Sequence, residues 1–201
     1  MSLIKLNNRA VKDVTQFGSI SSLGSLVHIS TATASASASI EFTSGIDSTY
    51  KEYVFYFVNM HPETDNVNFT FNMSTDGGSN YNVTKTTTVF YATHLENDGG
   101  QELDYLSARD LAQSTSFQQI SSELGNGADE STSGSMLLFN PASTTYVKHF
   151  ISSFNSNTYH DRCSRWDVAG YGNTTSPINA IKFQMSSGNI DDGQILLFGI
   201  N

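Results

Sequence analysis

The side chains able to do chemistry in this chain are few and scattered. Histidines stand at His28, His61, His94, His149 and His160. No two share metal-ligand spacing on one element, and none forms a His-Glu-x-x-His or Cys/His cluster. A zinc site would have to be assembled from separate loops. Cys163 is the sole cysteine, three residues from His160, with no Gly-x-Ser-x-Gly elbow elsewhere. A thiol needs a positioned base to act as a nucleophile, and this spacing is weak support for one. It also rules out an intrachain disulfide.

The acidic residues lead no further. Asn189, Asp191 and Asp192 share one turn, while Asp98 and the Asp129-Glu130 pair lie in others. Calcium needs several converging oxygens, and none of these loops has the alternate spacing of an EF-hand. Asp and Asn are expected at hairpin turns anyway. A glycosidase needs two carboxylates at a set separation, and 19 scattered acids single out no pair. Asp161–Trp166 carries two of the arginines and the only tryptophan. Exposed, Trp166 could stack on a sugar together with Tyr105 and Tyr159. A lone tryptophan at the start of a strand otherwise belongs to a core. No catalytic residue, metal ligand or cofactor is assigned.

The elements that would carry these residues are strands. Hydrophobic residues are 38% and charged residues 14% of the chain, and Ser, Thr, Asn and Gly fill the difference. These are poor helix formers suited to strands and turns. A length of 201 residues suits one all-β domain. The net charge of −9 argues against a nucleic-acid partner, because phosphates need clustered Lys and Arg. No apolar run has signal-peptide or membrane-spanning length, so synthesis in a cytoplasm without export is expected. Asn-x-Ser/Thr sites at Asn68, Asn72, Asn82 and Asn173 then read as coincidence in a chain rich in those residues.

The chain ends on its strongest pattern. Ile181, Phe183 and Met185 alternate with Lys182, Gln184 and Ser186. Ser187-Gly188-Asn189 then turns the chain into the apolar run Ile195–Ile200. This predicts a terminal hairpin whose last strand is central and covered on both sides. Thr31–Phe42 alternates small and hydroxyl residues and predicts one long strand with Ala32, Ala34, Ala36, Ala38, Ile40 and Phe42 on its buried face. Tyr53–Met60 predicts a central strand, and Val67–Met73 a half-buried one. Asp76-Gly77-Gly78 predicts a hairpin returning through Tyr81–Thr84. Further strands are expected over 86–92, 117–120, 136–139, 146–154 and 166–171, with a loop over 155–165. About ten strands with frequent turns and almost no helical periodicity predict an antiparallel jelly-roll-like β-sandwich over residues 26–201.

Residues 1–25 fit neither period. Leu3, Ile4, Leu6, Val11 and Val14 are scattered apolar anchors, followed by the Gly/Ser-rich stretch 18–25. An extended N-terminal arm that docks against a neighbouring subunit is expected, because these side chains would otherwise face solvent.

The opening Ser2–Val14 resembles the start of tail-fibre-like and other virion structural proteins of marine tailed phages. The closing Ile181–Ile190 and Gly193–Ile200, with its Ser-Ser-Gly-Asn-Ile turn, is similar to the end of proteins of that group. Asp76–Tyr81 fits it as well. The resemblance implies a non-enzymatic virion protein, either a capsid decoration or a tail-associated fibre component. It would be made in the host cytoplasm and assembled through its arm, its partners being itself, as a homotrimer, and other virion proteins. The alternative is a host-surface carbohydrate-binding module using Tyr105, Tyr159 and Trp166. It supplies no catalytic motif.

Overall fold

Alternation of apolar and polar residues builds every long element. In the strand Lys148–Thr158 all the even-numbered side chains, Phe150 and Phe154 among them, are buried. A computed structural model describes residues 25–201. The arm residues Leu3, Ile4, Leu6, Val11 and Val14 lie outside the described residues. The described chain is all β. Its strands are β1 (Leu26–Thr33), β2 (Ile40–Phe42), β3 (Glu52–Pro62), β4 (Val67–Ser74), β5 (Lys85–Leu95) and β6 (Gln101–Tyr105). They continue with β7 (Gln118–Leu124), β8 (Thr132–Phe139), β9 (Lys148–Thr158), β10 (Arg162–Gly172), β11 (Ala180–Met185) and β12 (Ile190–Ile200). Among these residues no helix is long and apolar enough to cross a membrane.

All pairings are antiparallel, and they connect the twelve strands into one sheet nearly closed into a barrel. The run β1-β12-β3-β8-β9-β10-β5-β6 forms a large layer. The run β2-β11-β4-β7 forms a small one. Strand pairing joins the named strands of the two layers at a single position, Leu124 with Thr158, beside the Glu123–Arg162 ion pair. Eight connections change layer, and four of them, 34–39, 63–66, 125–131 and 186–189, gather at one end. Asn126 Nδ2 donates to the Glu63 carbonyl (3.2 Å), Glu63 N to the Asn189 carbonyl (3.0 Å) and Ser37 N to the Ile190 carbonyl (2.8 Å).

The core lies between the layers and is aromatic. Phe183 of the small layer meets Phe55 and Phe57 of the large one edge-on, at centroid distances of 5.4 and 5.0 Å. Its own layer adds Phe42, Phe69 and Phe71 around the same ring. Such pairs add about 0.5–1.5 kcal/mol each beyond the area they bury.

Several expectations are corrected. The 31–42 stretch is two strands in different layers. Ala36 takes φ 48° and the chain turns there, so Ala36 and Ala38 are exposed. Small side chains leave room for this corner. The final two strands are not a hairpin: β11 pairs with β2 and β4, whereas β12 pairs with β1 and β3. Strand β12 is central, but Leu196, Phe198 and Ile200 are only half-buried on its outward side. Residues 81–84 form no strand, because β4 is already paired on both edges by β11 and β7. The 155–165 loop shrinks to a turn at 159–161, since β9 and β10 run on in register to Thr158 and Arg162.

Candidate functional site

The residues singled out for sugar stacking occupy three different settings. Trp166 is 2% exposed and stacks on Tyr91 at 5.1 Å, so it offers no face to a ligand. Tyr105 is half-exposed on β6 and donates its hydroxyl to Asp110 (2.5 Å). By register it lies on the opposite side of the large layer from Trp166. Tyr159 sits in the β9–β10 turn with its ring 3.7 Å from that of His160. No common platform results.

Register places Cys163 directly opposite His94 on β5. The thiol donates to Asn155 Oδ1 (3.2 Å), while His94 Nε2 bonds Asp98 (3.0 Å). Sulfur and imidazole are therefore each engaged elsewhere. The acidic turns do converge. Asp191 and Asp192 line a cleft of about 410 Å³ with His61, Asp129 and Glu130 at the end where those four connections gather. Glu130 accepts from Gly127 N (2.5 Å), Asp192 from Gly193 N (2.7 Å), and Asp191 lies 3.6 Å from His61. Among the described residues no group of three His, Cys, Asp or Glu is placed to hold a metal ion.

Two buried lysines went unnoticed in the sequence. Lys85 on β5 and Lys148 on β9 both oppose Gly172 of β10 and are fully buried. Lys85 donates to Asn72 Oδ1 (2.5 Å) and the Val83 carbonyl (2.9 Å), and Lys148 to the Tyr146 and Thr174 carbonyls. No carboxylate faces either in these bonds. Burial accordingly pushes Lys85 down to about 7 and lowers Lys148. The signal for Lys148 was present, since it begins the alternation that buries Phe150 and Phe154. Asn72 Nδ2 also donates to the Tyr81 and Thr115 carbonyls, which clamps the 75–117 excursion at both ends.

The largest unfinished surface is the outward side of the large layer. Eight large hydrophobic side chains are exposed among the described residues, and seven lie on that side: Leu26, Tyr56, Val58, Phe90, Leu103, Tyr105 and Ile151. The registers align them in cross-strand rows. One runs Thr31–Leu196–Tyr56–Ser135–Ser153–Asp167–Phe90–Tyr105. The next runs His28–Phe198–Val54–Leu137–Ile151–Ala169–Thr88. An apolar hollow of about 440 Å³ lies in the same face, bounded by Phe139, Ile151, Ala169 and Tyr171. The charged side chains on this outward side are Glu52, the mutually paired Arg165 and Asp167 (2.8 Å), and Asp110 against the Tyr105 hydroxyl at its edge. Exposed apolar side chains gathered on one face in this way mark a contact site, with Ser135, Ser153 and Asp167 set among them. Sequence pattern hid it, because Tyr53–Met60 and Ile195–Ile200 read as covered on both sides. No protein-family model, curated protein or solved structure matches this chain.

Proposed function

We propose that the chain is a non-enzymatic structural protein of a phage virion, a jelly-roll-like sandwich held in the particle through residues 1–25. The observation that carries this reading is the strand order. Removing β5, β6, β9 and β10 leaves β1-β12-β3-β8 facing β2-β11-β4-β7. Every connection between consecutive strands of this set then changes layer, and four of the seven occur at one end. That is the order of a double Greek key, a scaffold used by viral capsid and lectin domains. The hairpins β5-β6 and β9-β10 are insertions that zip together and widen one layer.

A scaffold alone does not choose between those uses. Dispersal of Tyr105, Tyr159 and Trp166 favours assembly over sugar capture. The mechanism is association by buried area. The arm side chains Leu3, Ile4, Leu6, Val11 and Val14 anchor the protein to other virion components, and the protein joins copies of itself. It is made in the host cytoplasm and resides in the virion.

Deleting residues 2–14 is the test. The truncated chain should melt like the full one yet be absent from particles purified after infection. A truncated chain that still joins particles overturns the anchoring role.

A further inference from the structure

We infer that the outward face of the large layer is a homotypic interface, covered in solution by the same face of a second copy of this chain. The inference deepens the assembly reading by naming a partner and a surface, and it stands on three observations.

The first is size. Eight strands about 4.8 Å apart span roughly 34 Å, and four outward rows extend roughly 27 Å along them. The product is on the order of 900 Å², against about 800 Å² per partner in a stable protein interface. The second is charge. The chain carries −9, yet Glu52, the Arg165–Asp167 pair and Asp110 at the Tyr105 edge leave this face with two negative charges. The end where the four connections gather, with Asp129, Glu130, Asp191 and Asp192 in one cleft, would repel an identical molecule. The sparsely charged rows are where two such molecules can meet with few like charges opposed.

The third is shape. Projecting side chains and a hollow occur on one surface. Phe90 is 45% and Ile151 51% exposed, and the hollow walled by Phe139, Ala169 and Tyr171 lies within two residues of both along the strands. A patch that carries both a knob and a socket can pair with itself about a two-fold axis. The exposed anchors include Tyr56, Phe90 and Tyr105, the aromatic type enriched in interface cores.

The test measures the solution mass of the full-length chain by sedimentation at about 10 μM, beside the double variant F90K/I151K. Both positions point outward, so the variant should still fold and melt cooperatively, with its melting temperature lowered only by the loss of association. The wild type should be a multimer, and the double variant should be a monomer with self-association weakened about 100-fold or more. Q184K, on the outward side of the small layer, should leave the mass unchanged. A monomeric wild type, or a double variant of unchanged mass, overturns the inference. So does a wild type that is monomeric until residues 1–24 are removed and then associates, because its own N-terminal segment would then be the cover. A chain that self-associates here yet never enters particles would sink the virion reading and leave the interface standing. A monomer that enters particles would do the reverse.

Discussion

Both layers bury an inner face against the shared aromatic core, and they differ on the outside. On the small layer, Glu41 and Lys182 form an ion pair across β2 and β11 at 2.9 Å. Tyr81 reaches over from the 75–117 excursion, donates its hydroxyl to Glu41 (3.0 Å) and lies beneath the Lys182 ammonium. Thr70 donates to the Gln184 carbonyl (2.9 Å), and Asn72 is covered entirely. The large layer has no such finish and leaves rows of aromatic and aliphatic side chains open. Antiparallel sheets ordinarily pair one apolar face with one polar face. The small layer obeys that rule with its own chain, whereas the large layer departs from it. The departure is concentrated in one surface, and this points to a partner rather than to loose folding.

The contrast can be broken first from within. Phe183→Ala removes the ring shared by both inner faces and should cost about 3–5 kcal/mol in urea unfolding. A loss under about 1 kcal/mol would mean the layers do not share one core. Next in size is the buried amine. Below about pH 7, Lys85 is charged in both states and its burial penalty is fully felt. Between about 7 and 10.5 the unfolded chain binds a proton that the folded chain does not, so stability rises with pH. The rise should be on the order of a few kcal/mol. Lys85→Met should flatten the slope between pH 7 and 10, leaving the smaller share due to Lys148; an unchanged slope would refute the assignment.

A smaller effect is expected on the finished face. The Lys182 ammonium and the Tyr81 hydroxyl hold the Glu41 carboxyl below its ordinary value. Glu41→Gln should cost about 0.5 kcal/mol near neutral pH, since the pair is partly solvated. The folded pKa is depressed, so this contribution is lost as pH falls through the carboxylate range. Thermal melts at pH 7 and 3 would show it as a difference present only at the higher pH. Smallest of all is Tyr56→Ser on the open face, within about 0.5 kcal/mol for the monomer. A large loss there would show that Tyr56 belongs to the fold and would weaken the contrast.

Much of the strand content was legible. Val67–Met73 and Lys148–Phe154 carry an alternation that assigns each side chain to a face, and those faces are the ones buried. Strand ends were less legible. The β9–β10 hairpin and the extension of β3 to Pro62 are held by pairing with neighbours, which local pattern does not encode. Among the candidate site residues, Trp166 gave no sign of its side, because a lone aromatic carries no period. The acidic turns were visible one by one, but their meeting around His61 depends on four connections gathering at one end. The open face was masked by its own hydrophobicity, since an apolar residue awaiting a partner looks the same in sequence as one inside a core.

By itself, the sequence determined that this chain is all β, where most of its turns fall and which alternate residues point inward. A period of two needs only the chirality and extended form of the backbone. What only the tertiary structure decided is who lies beside whom. Met185 and Ile190 are five residues apart, yet they begin from opposite layers. Phe71 pairs with Phe183, more than a hundred residues away. The hydrogen bonds that make those choices are between backbone groups common to every residue. Neighbours are therefore selected by packing of the whole set of side chains and not by any local stretch.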